Sequence, residues 1–253
     1  MATRTRSRRP ARHAALQSAS PPRDDNAGTP EEQLTSDRSV AAVRIVGIGA
    51  SAGGLDAFID LLSAIPVETG LAFVLIQHLD PRHDSMLVDI LAGATAIPVQ
   101  EVVDGMRIER DHVYVIPPDT QMTVQDDVLR LEPRTPKVPH RPLDSFFFSL
   151  AQDRKSGAIG VVLSGNDADG AFGLQAIHEA GGITFAQSPE SAKFDVMPRA
   201  AAVAADFVLP PGGIAEQLVS IARRDGSGEG EQPAQPADAA FDRVLQLLSL
   251  IHI

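Results

Sequence analysis

The chain has 253 residues and a mass of 26.8 kDa, and its 22 Lys and Arg against 33 Asp and Glu give a formal net charge of −11. This length suits one large α/β domain, and the lack of cysteine excludes disulfide scaffolds, Cys-ligated metals and cysteine nucleophiles. Because tryptophan is absent and no apolar run approaches about 18 residues, the composition disfavours nucleic-acid stacking and membrane insertion and favours an acidic cytoplasmic protein.

Two segments without apolar periodicity flank the predicted domain. Residues 1–40 include an arginine-rich stretch and are predicted to be a disordered tail that is solvated rather than bound to nucleic acid or lipid. Residues 224–239 are rich in Gly, Pro, Gln and acidic residues, which is typical of a linker. The folded domain is therefore predicted over residues 43–223.

Strand-like and helix-like patterns alternate through the first half of the domain. The predicted elements are, in chain order, a strand at 44–49, a helix at 55–62, a strand at 71–76, a helix at 87–91, a strand at 112–116 and a hairpin at 122–131. Asp84 or Ser85 is the predicted cap of the second helix.

The same alternation continues after a connection in which Pro133, Pro136, Pro139 and Pro142 recur every third residue, a spacing typical of an extended polyproline-like segment. The predicted elements are a helix at 143–150, a strand at 158–163, a helix at 170–180, strands at 183–186 and 207–209, and a helix at 214–221. This order predicts an α/β fold in one domain with disordered tails. Its core is a doubly wound, mostly parallel sheet with helices on both faces, plus a β-hairpin.

Three predicted strand ends carry side chains that could do chemistry, and ligands of such folds bind at these ends. Residues 49–53 (GASAG) fit the G-x-S-x-G pattern of a strained turn that presents a nucleophilic serine, here Ser51. His78 follows the next strand, and Asp167 and Asp169 follow the strand at 158–163. A serine, a histidine base and an orienting carboxylate together make a hydrolytic triad, with Asp167 and Asp169 both open as the acid.

Each of these signals also has another interpretation. The turn at 47–53 fits G-x-G-x-x-x-G, a loose dinucleotide pattern, although His78 stands where such a domain has its ribose-binding acid. A lone histidine is also typical of a core or capping position, and Asp167 and Asp169 are typical of turns and helix caps. His78 and His83 are five residues apart with Asp80 between them, but nothing continues a metal-ligand pattern, so no metal site is predicted.

Six separated segments carry a more specific signal than the serine turn alone. They are IVGIGASAGG at 45–54, VLIQHLDP at 74–81, VYVIPPD at 113–119, HRPLDSFFFSLA at 140–151, GVVLSGNDADGAFGL at 160–174 and MPRAA at 197–201. In this order they resemble the catalytic domain of CheB-type protein-glutamate methylesterases. The resemblance implies a serine hydrolase of bacterial chemotaxis-type signalling. Such an enzyme removes methyl esters from glutamyl residues of chemoreceptors and deamidates certain receptor glutamines.

Carried over by position, the resemblance implies Ser51 as the nucleophile, His78 as the general base and acid, and Asp169 rather than Asp167 as the orienting carboxylate. Ala52 and Asn166 fall at oxyanion or substrate positions, and both depart from the family pattern. Ala52 replaces a common threonine, and residues 165–170 read GNDADG where the family has Gly-Met-Gly-Asn-Asp-Gly. The resemblance implies no metal and no organic cofactor. The expected partners are cytoplasmic domains of methyl-accepting chemoreceptors, with no nucleic acid and no membrane insertion.

The resemblance also predicts what accompanies the domain. The N-terminal tail is too short for the receiver domain that precedes stand-alone members, so we expect fusion to a CheR-type methyltransferase instead. Residues 240–247 (AFDRVLQL) resemble the first helix of such a module, making 240–253 its truncated start. The final LSLIHI matches what a common sequencing adapter would encode, so we expect the natural chain to continue. The alternative functions are a catalytically degenerate receptor- or kinase-binding module of a hybrid sensor, and a nucleotide-binding domain.

Overall fold

A computed structural model of the chain describes residues 43–77, 86–135 and 140–226, with side chains through residue 224. The helices are α1 Gly54–Ser63, α2 Leu87–Ala92, α3 Pro142–Arg154, α4 Ala171–Glu179, α5 Val196–Ala201 and α6 Pro211–Gly226. The strands are β1 Arg44–Ala50, β2 Leu71–Gln77, β3 Val99–Glu101, β4 Met106–Arg107, β5 His112–Val115, β6 Thr120–Gln125, β7 Val128–Pro133, β8 Ile159–Val162, β9 Ile183–Gln187 and β10 Phe207–Leu209. The predicted tail, most of the predicted linker and residues 240–253 lie outside the described residues.

Seven of these strands form one sheet in the order β10-β9-β8-β1-β2-β5-β3, and all of its described pairings are parallel. This confirms the predicted doubly wound α/β fold. The strand order reverses at β1, which has β2 on one side and β8 on the other. Such a reversal opens a crevice at the carboxyl ends of the strands, where ligands of these folds bind.

Helices cover both faces of the sheet because its strands are apolar on both sides. One face is covered by α1 and α6, through buried residues that include Phe58 and Leu218. The other is covered by α3 and α4, through buried residues that include Phe146 and Ile177. No helix among the described residues is long and apolar enough to cross a membrane.

The glycines of β1 let α3 lie directly on the strand. A Cβ on Gly47 would stand 2.9 Å from ring atoms of Phe146 and Phe147, and one on Gly49 would stand 1.9 Å from Leu143 Cδ2. Helix packing therefore accounts for these two glycines, so the G-x-G-x-x-x-G spacing needs no bound dinucleotide to explain it.

The second sheet is antiparallel, in the order β4-β7-β6, and contains the predicted hairpin. Gln125 pairs with Val128 across a two-residue turn, in which Asp126 and Asp127 have positive φ values of 51° and 62°. Aspartate tolerates this left-handed conformation, which two-residue hairpins require.

The structure departs from the predicted elements in a few places. The described part of α2 is preceded by Met86, and Asp84 and Ser85, which were predicted to cap this helix, lie outside the described residues. Three short elements, β3, β4 and α5, were not predicted, since their sequences (VQE, MR and VMPRAA) carry no apolar run or helical stripe. Of the predicted polyproline-like connection, residues 136–139 lie outside the described residues.

Candidate active site

Ser51 lies in the turn between β1 and α1, at the point where the strand order reverses. Its backbone N–H donates to Ser164 O at 3.0 Å, and its carbonyl accepts from Gly54 N at 3.0 Å. The residue with a left-handed backbone in this turn is Gly53, with φ of 70°, whereas Ser51 is not among the described residues of positive φ. The predicted turn is therefore present, but the residue that adopts its left-handed backbone conformation is Gly53 and not Ser51.

Ser164, which follows β8, holds this turn in place. It is 1% exposed, and its hydroxyl donates to Ala52 O at 3.0 Å and accepts from Phe194 N at 3.0 Å. Its backbone N–H donates to the side-chain oxygen of Gln187 at 2.9 Å. The serine thus ties the Ser51 turn to β9 and to the segment before α5. Its place in the GVVLSGNDADGAFGL match was recognised in the sequence, but no role was inferred for it.

The loop after β8 passes beside Ser51. A Cβ on Gly165 would stand 3.0 Å from Ser51 Cβ and 2.3 Å from Met197 Sδ, so the loop can make this approach only with glycine there. Asn166 is exposed and comes directly after this glycine. Asp167 accepts a hydrogen bond from Asp169 N at 2.9 Å, which is the turn-forming contact of an aspartate.

Asp169, by contrast, is buried, with 4% of its surface exposed. Its two carboxylate oxygens accept from successive backbone N–H groups at the start of α3. Leu143 N lies 3.0 Å from Oδ2, and Asp144 N lies 3.0 Å from Oδ1. The first N–H groups of a helix have no carbonyl acceptor within that helix, so they need another acceptor. The positive end of the helix dipole also favours a negatively charged one. Asp169 is therefore a buried carboxylate that caps the start of α3.

A second buried carboxylate, Asp144, lies beside it. Asp144 is 4% exposed and accepts from Gly173 N in α4 at 2.8 Å. Arg141 Nε lies 2.9 Å from Asp144 Oδ2 and 3.7 Å from Asp169 Oδ1. Burial raises the pKa of Asp144, the Gly173 N–H lowers it, and the charge of Asp169 raises it further. Arg141 also donates to Ala168 O at 2.9 Å and lies over the Phe172 ring.

The structure brings some of the predicted site residues together. Ser51, Ala52, Asn166 and Asp169 all lie on the turns that follow β1 and β8, which are adjacent strands. His78 lies outside the described residues. The residue before it, Gln77, is described and ends β2, where it pairs with Ala50 in the parallel register of β1 and β2.

This arrangement places the Ser51 turn and the buried Asp169 carboxylate at the carboxyl ends of two adjacent strands, where ligands of such folds bind. No role was predicted for Arg141 or Asp144 from the sequence, although both lie in the segment HRPLDSFFFSLA. Among the described residues, no group of three or more His, Asp and Glu side chains could hold a metal ion.

Comparison with known proteins identifies the family of this domain. The family model described as CheB methylesterase matches residues 46–218. The chain belongs to the CheB methylesterase family. The match includes most of β1, the Ser51 turn and the loop after β8, and it ends within α6.

Two curated relatives and one solved structure are among the similar proteins. A protein-glutamate methylesterase/protein-glutamine glutaminase of Myxococcus xanthus is 36% identical over 189 residues, which are 71% of this chain and 54% of the relative. An uncharacterised 104.1 kDa protein of Rhodobacter capsulatus is 36% identical over 194 residues, which are 65% of this chain and 20% of that protein. The chain therefore spans about half, or less, of these relatives.

The crystal structure of the Thermotoga maritima CheB methylesterase catalytic domain is similar with a TM-score of 0.65 and 27% identity. The match covers 71% of this chain and 99% of that domain. A whole catalytic domain is thus matched, which agrees with the one α/β domain described above.

Proposed function

We propose that this chain is a protein-glutamate methylesterase and protein-glutamine deamidase of chemotaxis-type signalling. Its substrates are methyl-esterified glutamyl side chains, and certain glutamines, on the cytoplasmic domains of chemoreceptors. Family membership supports this reaction class. The observation that carries the proposal is Ser51 at the reversal of the strand order, hydrogen-bonded through its backbone to the loop that bears buried Asp169.

In the proposed mechanism, Ser51 is the nucleophile and His78 is the general base. The Ser51 oxygen attacks the ester carbonyl while its proton passes to His78. When the tetrahedral intermediate collapses, His78 returns that proton to the leaving methoxide, and methanol departs. Water then hydrolyses the acyl-serine with His78 again taking the proton, which leaves a glutamate and restores Ser51. In deamidation, ammonia departs in place of methanol.

Asp169 orients His78 in this proposal and stabilises the imidazolium that forms in each half of the reaction. The backbone N–H groups near Asn166 and Ala52 are the proposed donors to the negatively charged oxygen of the intermediate. Support comes from the Gly165 backbone, which lies against Ser51 Cβ and places the start of this loop beside the serine.

We further propose that residues 43–223 form the enzymatic domain, with a tail at 1–40, a linker at 224–239 and the start of another module at 240–253. The Rhodobacter capsulatus relative, of which this chain matches only 20%, supports the view that such domains occur inside much longer proteins. A fused CheR-type methyltransferase and a cytoplasmic location belong to this proposal.

The test is methanol release from a methylated chemoreceptor cytoplasmic domain by the full chain. Ser51→Ala should reduce release by a factor on the order of 10⁴ or more, because the nucleophile is lost. Ser63→Ala is the matched control, since Ser63 is an exposed serine at the end of α1. Folded wild-type protein that releases no methanol from several receptors would instead favour a degenerate binding module.

A further inference from the structure

We propose that Arg141 and Asp144 are positioning residues that hold the Asp169 carboxylate in its working orientation and balance its charge. The inference rests on the proposed function, in which Asp169 orients His78. Neither residue is proposed to touch the substrate. Both act through Asp169, and they do so from the HRPLD segment at 140–144.

The first support is the way in which the Asp169 carboxylate is held. Each of its oxygens accepts one backbone N–H, from Leu143 and from Asp144, at 3.0 Å. Two parallel bonds fix the plane of a carboxylate, whereas a single bond leaves it free to turn. The orientation of Asp169 is therefore set by the position of the first turn of α3.

The second support is that packing and a hydrogen bond fix the position of the first turn of α3. Leu143 lies over Gly49 and Gly170, where added Cβ atoms would stand 1.9 and 2.3 Å from its Cδ2. Asp144 reaches the next helix and accepts from Gly173 N at 2.8 Å. Asp169, which precedes α4, thus caps α3, while Asp144, in α3, caps α4. This reciprocal capping holds the two helix starts at a fixed separation.

The third support is the charge balance of the cluster. Two buried carboxylates side by side repel each other, and a cap for each helix end does not require that both be anionic. Arg141 contacts both, at 2.9 Å from Asp144 and 3.7 Å from Asp169, and its side chain is 39% exposed. With both carboxylates ionised, one cation between them leaves a single net negative charge for the imidazolium that the proposed function assigns to His78. Helix capping alone does not explain why Arg141 contacts both carboxylates.

The test measures how fast a fluorophosphonate probe labels Ser51 as a function of pH, using the full chain. In this reaction the Ser51 oxygen bonds to phosphorus, fluoride leaves and His78 takes the proton. The rate therefore rises with pH as His78 becomes neutral. Removing a charge near Asp169 should move the midpoint of this rise, because it changes the stability of the imidazolium.

The two substitutions should move the midpoint in opposite directions. Arg141→Gln removes a positive charge and should raise the midpoint by about 0.5 pH unit, while Asp144→Asn should lower it by about as much. The double variant should return close to the wild-type midpoint. Each single variant should also label about 10-fold more slowly at the high-pH plateau, because the orientation of Asp169 is loosened.

Two further variants separate positioning from stability. Arg134→Gln, which removes an arginine of similar exposure beside Asp119, should change neither midpoint nor plateau. Arg141→Lys keeps the charge, so its midpoint should stay near that of the wild type even where its melting temperature falls. Melting temperatures of all variants are measured alongside.

Unchanged midpoints in both single variants, or shifts in the same direction, would overturn the proposal and leave a structural role only. The failure of the proposed function looks different. If Ser51 is labelled, and the midpoints shift as expected, but no receptor releases methanol, the positioning role stands and the methylesterase assignment fails. A wild-type chain whose Ser51 is not labelled at any pH overturns both.

Discussion

Leu143 lies so close to Gly49 that a Cβ on the glycine would stand 1.9 Å from the leucine's Cδ2. Gly49 is two residues before Ser51, and Leu143 donates its backbone N–H to Asp169. One contact therefore ties the strand that leads to the serine to the helix that holds the carboxylate.

Gly49→Ala should accordingly destabilise the domain by about 2–3 kcal/mol or more, because the added methyl forces α3 away from β1. Urea-induced unfolding of the full chain measures this. Gly212→Ala is the control, since a Cβ there meets nothing within 4 Å. Equal stability of the two variants would contradict the close packing of α3 on β1.

Ser164→Ala should lower both stability and activity. The change removes a buried hydroxyl that bonds Ala52 O and Phe194 N, and unpaired buried groups cost about 1–3 kcal/mol each. The Ser51 turn loses one of its anchors, so the labelling rate of Ser51 should fall as well. Unfolding and labelling are compared with those of Ser63→Ala, and a variant that matches this control in both would count against the anchoring role.

Asp169→Asn should lower methanol release by a factor on the order of 10³–10⁴, since the amide cannot stabilise an imidazolium as a carboxylate does. Asp167→Asn should stay within about 3-fold of the wild type, because an asparagine oxygen can still accept from Asp169 N. Steady-state rates for both variants decide between the two acids. A large loss for Asp167→Asn alone would reverse the assignment.

Asp144→Asn should change how stability depends on pH. Since burial raises the pKa of Asp144 from its usual 3.8, the folded state keeps its proton at pH values where the unfolded state has lost it. The contribution of Asp144 to the free energy of unfolding is therefore lost as the pH rises from 3.8 through the raised pKa of the folded state. The asparagine variant should gain stability relative to the wild type across that window.

The free energy of unfolding of both proteins, measured by urea titration at a series of pH values from 3.5 to 7, tests this sign. A difference between them that is constant with pH, or that changes in the opposite direction, would contradict a raised pKa.

The sheet and its helices could be predicted because their patterns are long and apolar. Residues 71–76 are continuously apolar and form the buried strand β2, and the stripe that includes Phe146 and Leu150 forms α3. The short elements β3 and α5 carry no such pattern. Their positions depend on contacts distant in sequence, such as that of Met197 with Gly165.

In the candidate site, too, some residues could be predicted from the sequence and others could not. Ser51 and Asp169 could be placed at neighbouring strand ends because parallel strands align their carboxyl edges. The role of Ser164 could not be inferred, since it depends on bonds to Ala52 and Phe194, which are brought together only by folding. Arg141 and Asp144 stood in a recognised segment, but no local pattern connects them to a residue 25 positions or more away.

The capping of α3 by Asp169 has a consequence for how sequences of this family are interpreted. A family member without hydrolytic activity would still be selected to keep this aspartate, because its loss would leave two buried helix N–H groups without hydrogen-bond partners. Ser51 contributes to the fold through its backbone bonds to Ser164 O and Gly54 N, which any residue but proline can make. Retention of the aspartate therefore marks an intact fold, and under the proposed mechanism retention of the serine is the better marker of a working enzyme.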